Sequence, residues 1–215
     1  MNETKIKNFY LITILSLSLT SCQKSTKSDE KYPLHAAAQK GNIIEVTKLL
    51  TNTDPNMLNN YKETPLDKAA ETGHLDVMDL LIKKGANVNA RQITGETPLF
   101  AAATFGKDDA VEDLIKNGAD VKQPDYLGTS PLHTAVSNSQ EKVVETLLKN
   151  KADIEQKDYF GQTPLHIAVK ENQLACIKIL IKYKANIHNK DNDGNSPLDL
   201  AKKRGVKQVI NALGN

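Results

Sequence analysis

The segment Thr163-Pro164-Leu165-His166-Ile167-Ala168 decides the fold of this 215-residue chain, because variants of it recur along the sequence. Ser130-Pro131-Leu132-His133-Thr134-Ala135 stands earlier in the chain and differs at two positions. The Pro-Leu pair that the two segments share occurs six times, at Pro33, Pro65, Pro98, Pro131, Pro164 and Pro197. All spacings but the first are identical, and the first is shorter by a single position. A fixed period of about 33 residues indicates stacked supersecondary units, each of which buries its apolar face against its neighbours.

The repeated positions predict two helices in each unit. A threonine or serine precedes each Pro-Leu pair from Pro65 onwards, so that a hydroxyl caps the first helix while proline occupies its first turn. Alanine pairs such as Ala69-Ala70 let neighbouring first helices approach closely. Apolar residues four positions apart define a second helix with one buried face. These pairs are Val77/Leu81, Val111/Ile115, Val143/Leu147 and Ile177/Ile181.

Glycines mark the turns, and the residues that replace them predict local strain. Gly85 and Gly118 predict left-handed turns at the ends of two second helices. Lys151 and Lys184 stand at the equivalent positions, where a positive φ costs a few tenths to about 1 kcal/mol relative to glycine. Lys62 replaces a turn glycine of the later units, and we expect a distorted turn there.

These motifs resemble the ankyrin repeat, for which T-P-L-H-x-A at a period of about 33 residues is characteristic. The resemblance covers about residues 32 to 215. It implies an all-α repeat fold, an ankyrin solenoid of about six helix-turn-helix units with β-turn or hairpin fingers. The units are expected at about residues 32–58, 59–91, 92–124, 125–157, 158–190 and 191–215. The family resemblance further implies a non-catalytic, monomeric module that binds another protein on the concave face formed by fingers and inner helices.

The candidate protein-binding residues follow from the family by position in the repeat. They are the fingertip and inner-helix residues Tyr61, Phe105, Tyr126, Leu127, Tyr159, Phe160, Lys170 and Arg204. Ile93 holds a further fingertip position in the third unit. Exposed aromatic side chains clustered on one face are typical of interaction sites. The alternative is that the tyrosine and phenylalanine rings brace adjacent fingers. The convex face, which carries Lys142, Lys149 and Lys178, is expected to take no part in binding.

The N-terminal segment, residues 1–21, predicts a signal peptide, with lysines followed by an apolar run over residues 9–19. As a helix this run would reach roughly 16 Å, too short for the ~30 Å core of a bilayer. Leu19-Thr20-Ser21-Cys22 closely resembles the lipobox of bacterial lipoproteins. That resemblance implies cleavage before Cys22, lipidation of Cys22 with acyl chains such as palmitate, and a tether over residues 22–31. The alternative is an ordinary secretion signal that leaves Cys22 as a free thiol.

Composition excludes several classes of protein. The net charge is +2, so there is no strongly basic surface to attract nucleic acid. Two cysteines, Cys22 and Cys176, cannot make a disulfide scaffold or a cysteine zinc site. Cys176 falls at a core position of a second helix, where it acts as a small apolar residue.

No recognised catalytic or cofactor motif appears in the sequence. His35, His133 and His166 share one repeat position, but successive repeats lie roughly 10 Å apart, whereas metal ligands converge within ~2.1 Å of one ion. The ankyrin resemblance instead implies that each histidine hydrogen-bonds to the backbone of the next unit. We therefore expect no enzyme activity, no metal and no cofactor.

The sequence thus predicts a lipid-anchored protein of the bacterial cell envelope, with its ankyrin domain outside the cytoplasm. The alternative is a secreted, effector-like ankyrin protein that binds host proteins. A hydrolase or redox enzyme built on a repeat scaffold is a third and weaker hypothesis.

Overall fold

The computed structural model describes residues 31–214, so the predicted signal peptide and Cys22 lie outside the described residues. Over that range the chain forms twelve α-helices and no β-strand. The helices are α1 (Pro33–Gln39), α2 (Ile43–Leu49), α3 (Pro65–Thr72), α4 (Leu75–Lys83), α5 (Pro98–Thr104), α6 (Asp108–Lys116), α7 (Pro131–Ser137), α8 (Glu141–Lys149), α9 (Pro164–Lys170), α10 (Leu174–Lys182), α11 (Pro197–Arg204) and α12 (Lys207–Gly214). The all-α repeat fold that the ankyrin resemblance implied is confirmed.

The helices form two layers. The odd-numbered inner helices pack against one another in chain order, and each also packs against the even-numbered outer helix of its own unit. Ala69, Ala70, Ala102 and Ala103 are fully buried where α3 and α5 meet. Their small side chains allow the close helix approach that the alanine pairs predicted, and the core is one continuous cluster along the stack.

The inner helices begin at the capping residues that the sequence indicated. The hydroxyl oxygen of Thr64 accepts a hydrogen bond from the backbone N–H of Asp67, at 3.2 Å, and Ser196 accepts one from Asp199, at 3.1 Å. Each hydroxyl satisfies one of the amide groups that a helix start leaves without a partner. The first unit differs, because α1 follows Tyr32, whose side chain makes no capping bond.

The outer helices correct one detail of the predicted core. Ile115 and Ile181, predicted to face the core, are half-buried, whereas Leu114 and Leu180 are fully buried. The reason lies in the period, because Leu114 and Leu180 hold the same repeat position as the buried Leu81 and Leu147. The second residue of each of these two pairs was therefore placed too late in the chain by a single position, whereas Val111 and Ile177 are fully buried as predicted.

The lysines at glycine positions adopt the conformation that glycine would adopt. Lys151 and Lys184 have φ values of 65° and 67°, as predicted, and follow the outer helices as Gly85 does with 93°. Lys62 also has a positive φ of 57°. The expected distortion beside Lys62 was wrong, since its turn makes the same backbone hydrogen bonds as the later turns.

Candidate protein-binding surface

Five fingers project from the stack between successive units, and each is closed by its own backbone. In every finger the N–H of the first residue donates to the carbonyl oxygen of the fifth, at 2.9–3.0 Å. The five pairs are Asn59–Glu63, Gln92–Glu96, Asp125–Thr129, Asp158–Gln162 and Asp191–Asn195. Each finger is therefore a tight turn of constant shape that precedes an inner helix.

Side-chain hydrogen bonds also hold four of these fingers, and the sequence did not lead us to predict them. The side-chain oxygen of Asp158 accepts hydrogen bonds from the N–H groups of Phe160 and Gln162, at 2.9 and 2.8 Å. Asn59, Asp125 and Asp191 do the same in their fingers. The available signal was an aspartate or asparagine recurring in the repeat shortly before the capping threonine or serine, a residue type that favours such local turns.

Neighbouring fingertips are joined by a ladder of backbone hydrogen bonds. The N–H of each first tip residue donates to the carbonyl oxygen of the second tip residue in the preceding finger, at 2.7–3.1 Å. The four bonds are Ile93–Tyr61, Tyr126–Thr94, Tyr159–Leu127 and Asn192–Phe160. Because the backbone sets the spacing of the tips, their side chains are displayed as a fixed row.

The side chains on this row are largely apolar and largely uncovered. Tyr61, Tyr126 and Tyr159 are 66%, 67% and 55% exposed, and Ile93 is 55% exposed. Phe105, which follows the inner helix α5, is also exposed. Leu127 and Phe160 are half-buried. Four of the six apolar candidates, together with Ile93, thus lie open to a partner.

Two of the exposed rings also contact neighbouring side chains. The guanidinium carbon of Arg91 lies 4.8 Å from the ring centroid of Tyr126, a cation–π contact. The Tyr159 and Phe160 rings meet edge to face, with centroids 5.4 Å apart. These contacts orient the rings without covering them, so bracing and binding are compatible roles for the same residues.

The two charged candidates are exposed and hydrogen-bonded. The Lys170 ammonium donates to the side-chain oxygen of Gln162, at 3.2 Å. The Arg204 guanidinium donates to the backbone carbonyls of Val169 and Lys170, at the end of the inner helix α9. Arg204 therefore ties the last unit to the fifth, a role that the sequence did not reveal.

The three repeat histidines tie units together, as the family resemblance implied. The Nε2–H groups of His35, His133 and His166 donate to the carbonyls of Glu63, Gln162 and Asn195, at 2.8, 3.0 and 3.1 Å. Burial lowers the pKa of His133 to about 4, which keeps its ring neutral.

The repeat position of these histidines is occupied by Asp67 in the second unit and Phe100 in the third. Two partly or fully buried carboxyl groups, those of Asp67 and Glu96, lie near one another there. Asp67 accepts hydrogen bonds from the N–H and hydroxyl of Thr64, at 2.6 and 2.7 Å. Burial, together with the charge of nearby Glu63, raises the pKa of Asp67 to about 6. Burial and the neighbouring Asp125 raise the pKa of Glu96 to about 7. The finger bases of the second and third units therefore hold carboxyl groups that resist ionisation.

Replacing Glu96 by glutamine should flatten the pH dependence of stability. The pKa of Glu96 is higher in the folded chain than its ordinary 4.5, so the stability that it contributes at low pH is lost as the pH rises through about 7. At about pH 8 we expect Glu96→Gln to be more stable than the original chain by about 1–2 kcal/mol. Urea denaturation over a series of pH values measures this, with the exposed Glu112→Gln on α6 as control. An unchanged slope in Glu96→Gln would contradict the expectation.

The described residues offer no site for metal binding and no activated thiol. Residues 31–214 contain no group of three or more histidine, cysteine, aspartate or glutamate side chains placed to hold a metal ion. Cys176 is 1% exposed on α10, and burial raises the pKa of its thiol to about 11, so it serves as a core residue.

Comparison with known proteins gives local similarity to several of them, including two that are named for their ankyrin repeats. The human transient receptor potential cation channel subfamily A member 1 is 44% identical over 66 residues, which are 29% of this chain and 6% of the channel. Ankyrin repeat domain-containing protein 49 from Bos taurus is 40% identical over 70 residues, and the human protein of that name is 37% identical. The matched segment is 32% of this chain and 29% of either protein. The chain thus spans less than a third of each relative.

Family profiles match most of the sequence. The profile described as "Ankyrin repeats (3 copies)" matches residues 5–92 and 90–158. The profile described as "Ankyrin repeats (many copies)" matches residues 147–201. Together with the twelve helices and the tied fingers, these matches show that the chain belongs to the ankyrin repeat family, whose members are generally non-catalytic modules for protein–protein interaction.

Proposed function

We propose that this protein is a lipid-anchored protein of the bacterial cell envelope whose ankyrin domain binds another protein on its fingertips. The observation that carries the binding half is the row of exposed tip residues Ile93, Tyr126 and Tyr159 on backbone-tied fingers. Aromatic side chains in fixed positions bind at a low cost in conformational entropy. The partner would place apolar side chains against this row, with the ends of the inner helices as the rim.

The anchoring half rests on the sequence. Leu19-Thr20-Ser21-Cys22 supplies the lipid site. Two acyl chains hold a protein on a membrane stably, whereas one chain does so only marginally. Within residues 31–214 no helix is long and apolar enough to cross a bilayer. Lipid on Cys22 would therefore supply the membrane attachment of this domain.

Replacing Cys22 by alanine should abolish membrane attachment, because the thiol that carries the lipid is lost. We expect Cys22→Ala to incorporate no alkyne fatty acid during metabolic labelling and to leave the membrane fraction. The matched control is Cys176→Ala, which removes the buried cysteine and should keep both label and fractionation. If Cys22→Ala is exported and remains in the membrane fraction as the original chain does, the proposed lipid anchor is wrong. If the original chain itself carries no label and is fully released, the secreted, effector-like alternative is favoured.

Affinity capture of the mature protein from its own cell envelope would identify the partner. The binding half of the proposal requires that capture depends on the fingertips. A partner that is retained equally by chains with and without the exposed rings would show that another face binds.

A further inference from the structure

The outer helix of the first unit carries an apolar surface that the repeat does not explain. Ile43 and Ile44 open α2 and are 36% and 79% exposed. Ile44 is the most exposed of the large apolar side chains within residues 31–214. Large apolar side chains that are this exposed usually mark a surface that a binding partner or a membrane covers.

The equivalent positions of the following units show that Ile44 is particular to the first unit, whereas the position of Ile43 is also apolar in the second and fifth units, as Leu75 and Leu174. Ile44 corresponds to Asp76, Asp109 and Lys142 in the second, third and fourth units, which are all exposed. Three of the five later units thus expose a charged side chain here, and the fifth and sixth units have the smaller or polar Ala175 and Gln208. Isoleucine at this position cannot be explained by packing within the stack, since its side chain remains outside.

A third exposed apolar residue opens the outer helix of the second unit. Leu75, the first residue of α4, is 37% exposed. It lines an open pocket of about 340 Å³ together with Gly41, Gly73 and His74. The exposed apolar residues that open these two neighbouring outer helices, Ile43, Ile44 and Leu75, are here called the α2 patch.

The position of the α2 patch relative to the proposed lipid site suggests what covers it. The chain reaches the first unit at Lys31 and Tyr32, whose side chains donate hydrogen bonds to Asn60, at 3.2 and 2.6 Å. The segment from Cys22 to Lys31 spans only about 30 Å even when fully extended. Helix α1 adds roughly 10 Å between that point and α2. A lipid on Cys22 would therefore hold the α2 patch within reach of the bilayer surface.

We infer that the α2 patch docks on the lipid surface to which Cys22 is anchored, and this inference rests on the proposed lipid anchor. Ile43 and Ile44 enter the boundary between headgroups and acyl chains, while exposed Lys48 on the same helix, which pairs with Glu45 at 3.6 Å, stays among the headgroups. The start of α2 lies at the end of the unit opposite to the fingers, because α1 runs away from the finger end. Docking through the α2 patch therefore leaves the fingertip row turned away from the bilayer and open to a partner.

The test uses the absence of tryptophan from the chain, which lets one introduced indole report on its own surroundings. Lipidated full-length Ile44→Trp is reconstituted into vesicles of phosphatidylethanolamine with a minor share of phosphatidylglycerol, with and without brominated acyl chains. Lys142→Trp is the matched control, because Lys142 holds the same helix position three units away. We expect brominated lipid to quench the indole at position 44 roughly two-fold, consistent with burial about 5–10 Å into the boundary, and to leave position 142 unquenched.

The outcomes separate this inference from the anchor on which it rests. If the original chain fractionates with membranes through Cys22 and both indoles respond alike, the docking is overturned and the anchor stands. If the original chain shows no lipid-dependent fractionation, both are overturned. A blue shift at position 44 that rises with protein concentration in the absence of vesicles would identify a second copy as the occupant and would also overturn the docking.

Ile44→Asp, which copies Asp109, should leave the thermal melt unchanged and abolish quenching of a Thr47→Trp reporter one turn further along α2.

Discussion

Leu165→Ala should lower the free energy of unfolding by about 2–5 kcal/mol, the usual cost of deleting a fully buried leucine side chain and leaving a cavity. Leu165 is 0% exposed at the start of α9, and Leu34, Leu66, Leu99 and Leu132 are equally buried at its equivalent positions. Its side chain lies within the core cluster where neighbouring units meet. The loss should therefore weaken the fifth unit and its contacts with both neighbours.

Chemical denaturation of the chain without residues 1–22, followed by circular dichroism, measures this loss. Leu198→Ala is the matched control, since Leu198 holds the same position in the last unit and is only half-buried. Its truncation should cost clearly less. Because each unit contacts only its neighbours, Leu165→Ala is also expected to broaden the transition or split it into two. An unchanged transition would show that this leucine does not join the units.

The double variant Tyr159→Ala/Phe160→Ala should weaken partner binding about ten-fold, or by about 1–2 kcal/mol, as truncation of interface anchors typically does. Tyr159 is exposed and Phe160 supports its ring from the side. The fold should survive, because this finger is held by backbone bonds and by the side chain of Asp158. Titration of the captured partner by calorimetry measures the change in affinity.

Lys178→Ala is the control within the same unit, because Lys178 is exposed on the outer helix α10. It should leave affinity unchanged, and both variants should melt at nearly the temperature of the original chain. A chain that loses its fold while each folded molecule binds normally would mean that the two rings only brace the finger.

The repeated motif, through the family that it resembles, predicted the fold because the repeat encodes local contacts. Thr64 and Ser196 cap the helices that directly follow them, and His133 bonds to Gln162 at a fixed place in the next unit. Interactions of this kind are visible as recurring residue types. The same logic would have placed Leu114 and Leu180 in the core, had the repeat period been applied to the second helix as strictly as to the first.

Features that depend on the backbone or on one unit alone were harder to predict. The fingertip ladder uses only backbone N–H and carbonyl groups, so no residue type in the sequence indicates it. Lys62 adopts a positive φ because the tied finger imposes that conformation on it. The raised pKa of Glu96 arises from burial and from Asp125 in another unit, which requires the three-dimensional stack. The bonds of Arg204 to the end of α9 have no counterpart in the repeat pattern.

The fingertip ladder gives the solenoid a direction. Each linked finger has one face that donates an N–H group and another that offers a carbonyl, so that fingers join head to tail like the monomers of a polymer. A duplicated unit of one full period would carry both faces and would fit between two existing units without disturbing either. The domain can therefore lengthen or shorten in whole units by recombination within the gene. Each added unit would extend the fingertip row by one position and leave the rest of the surface as it was.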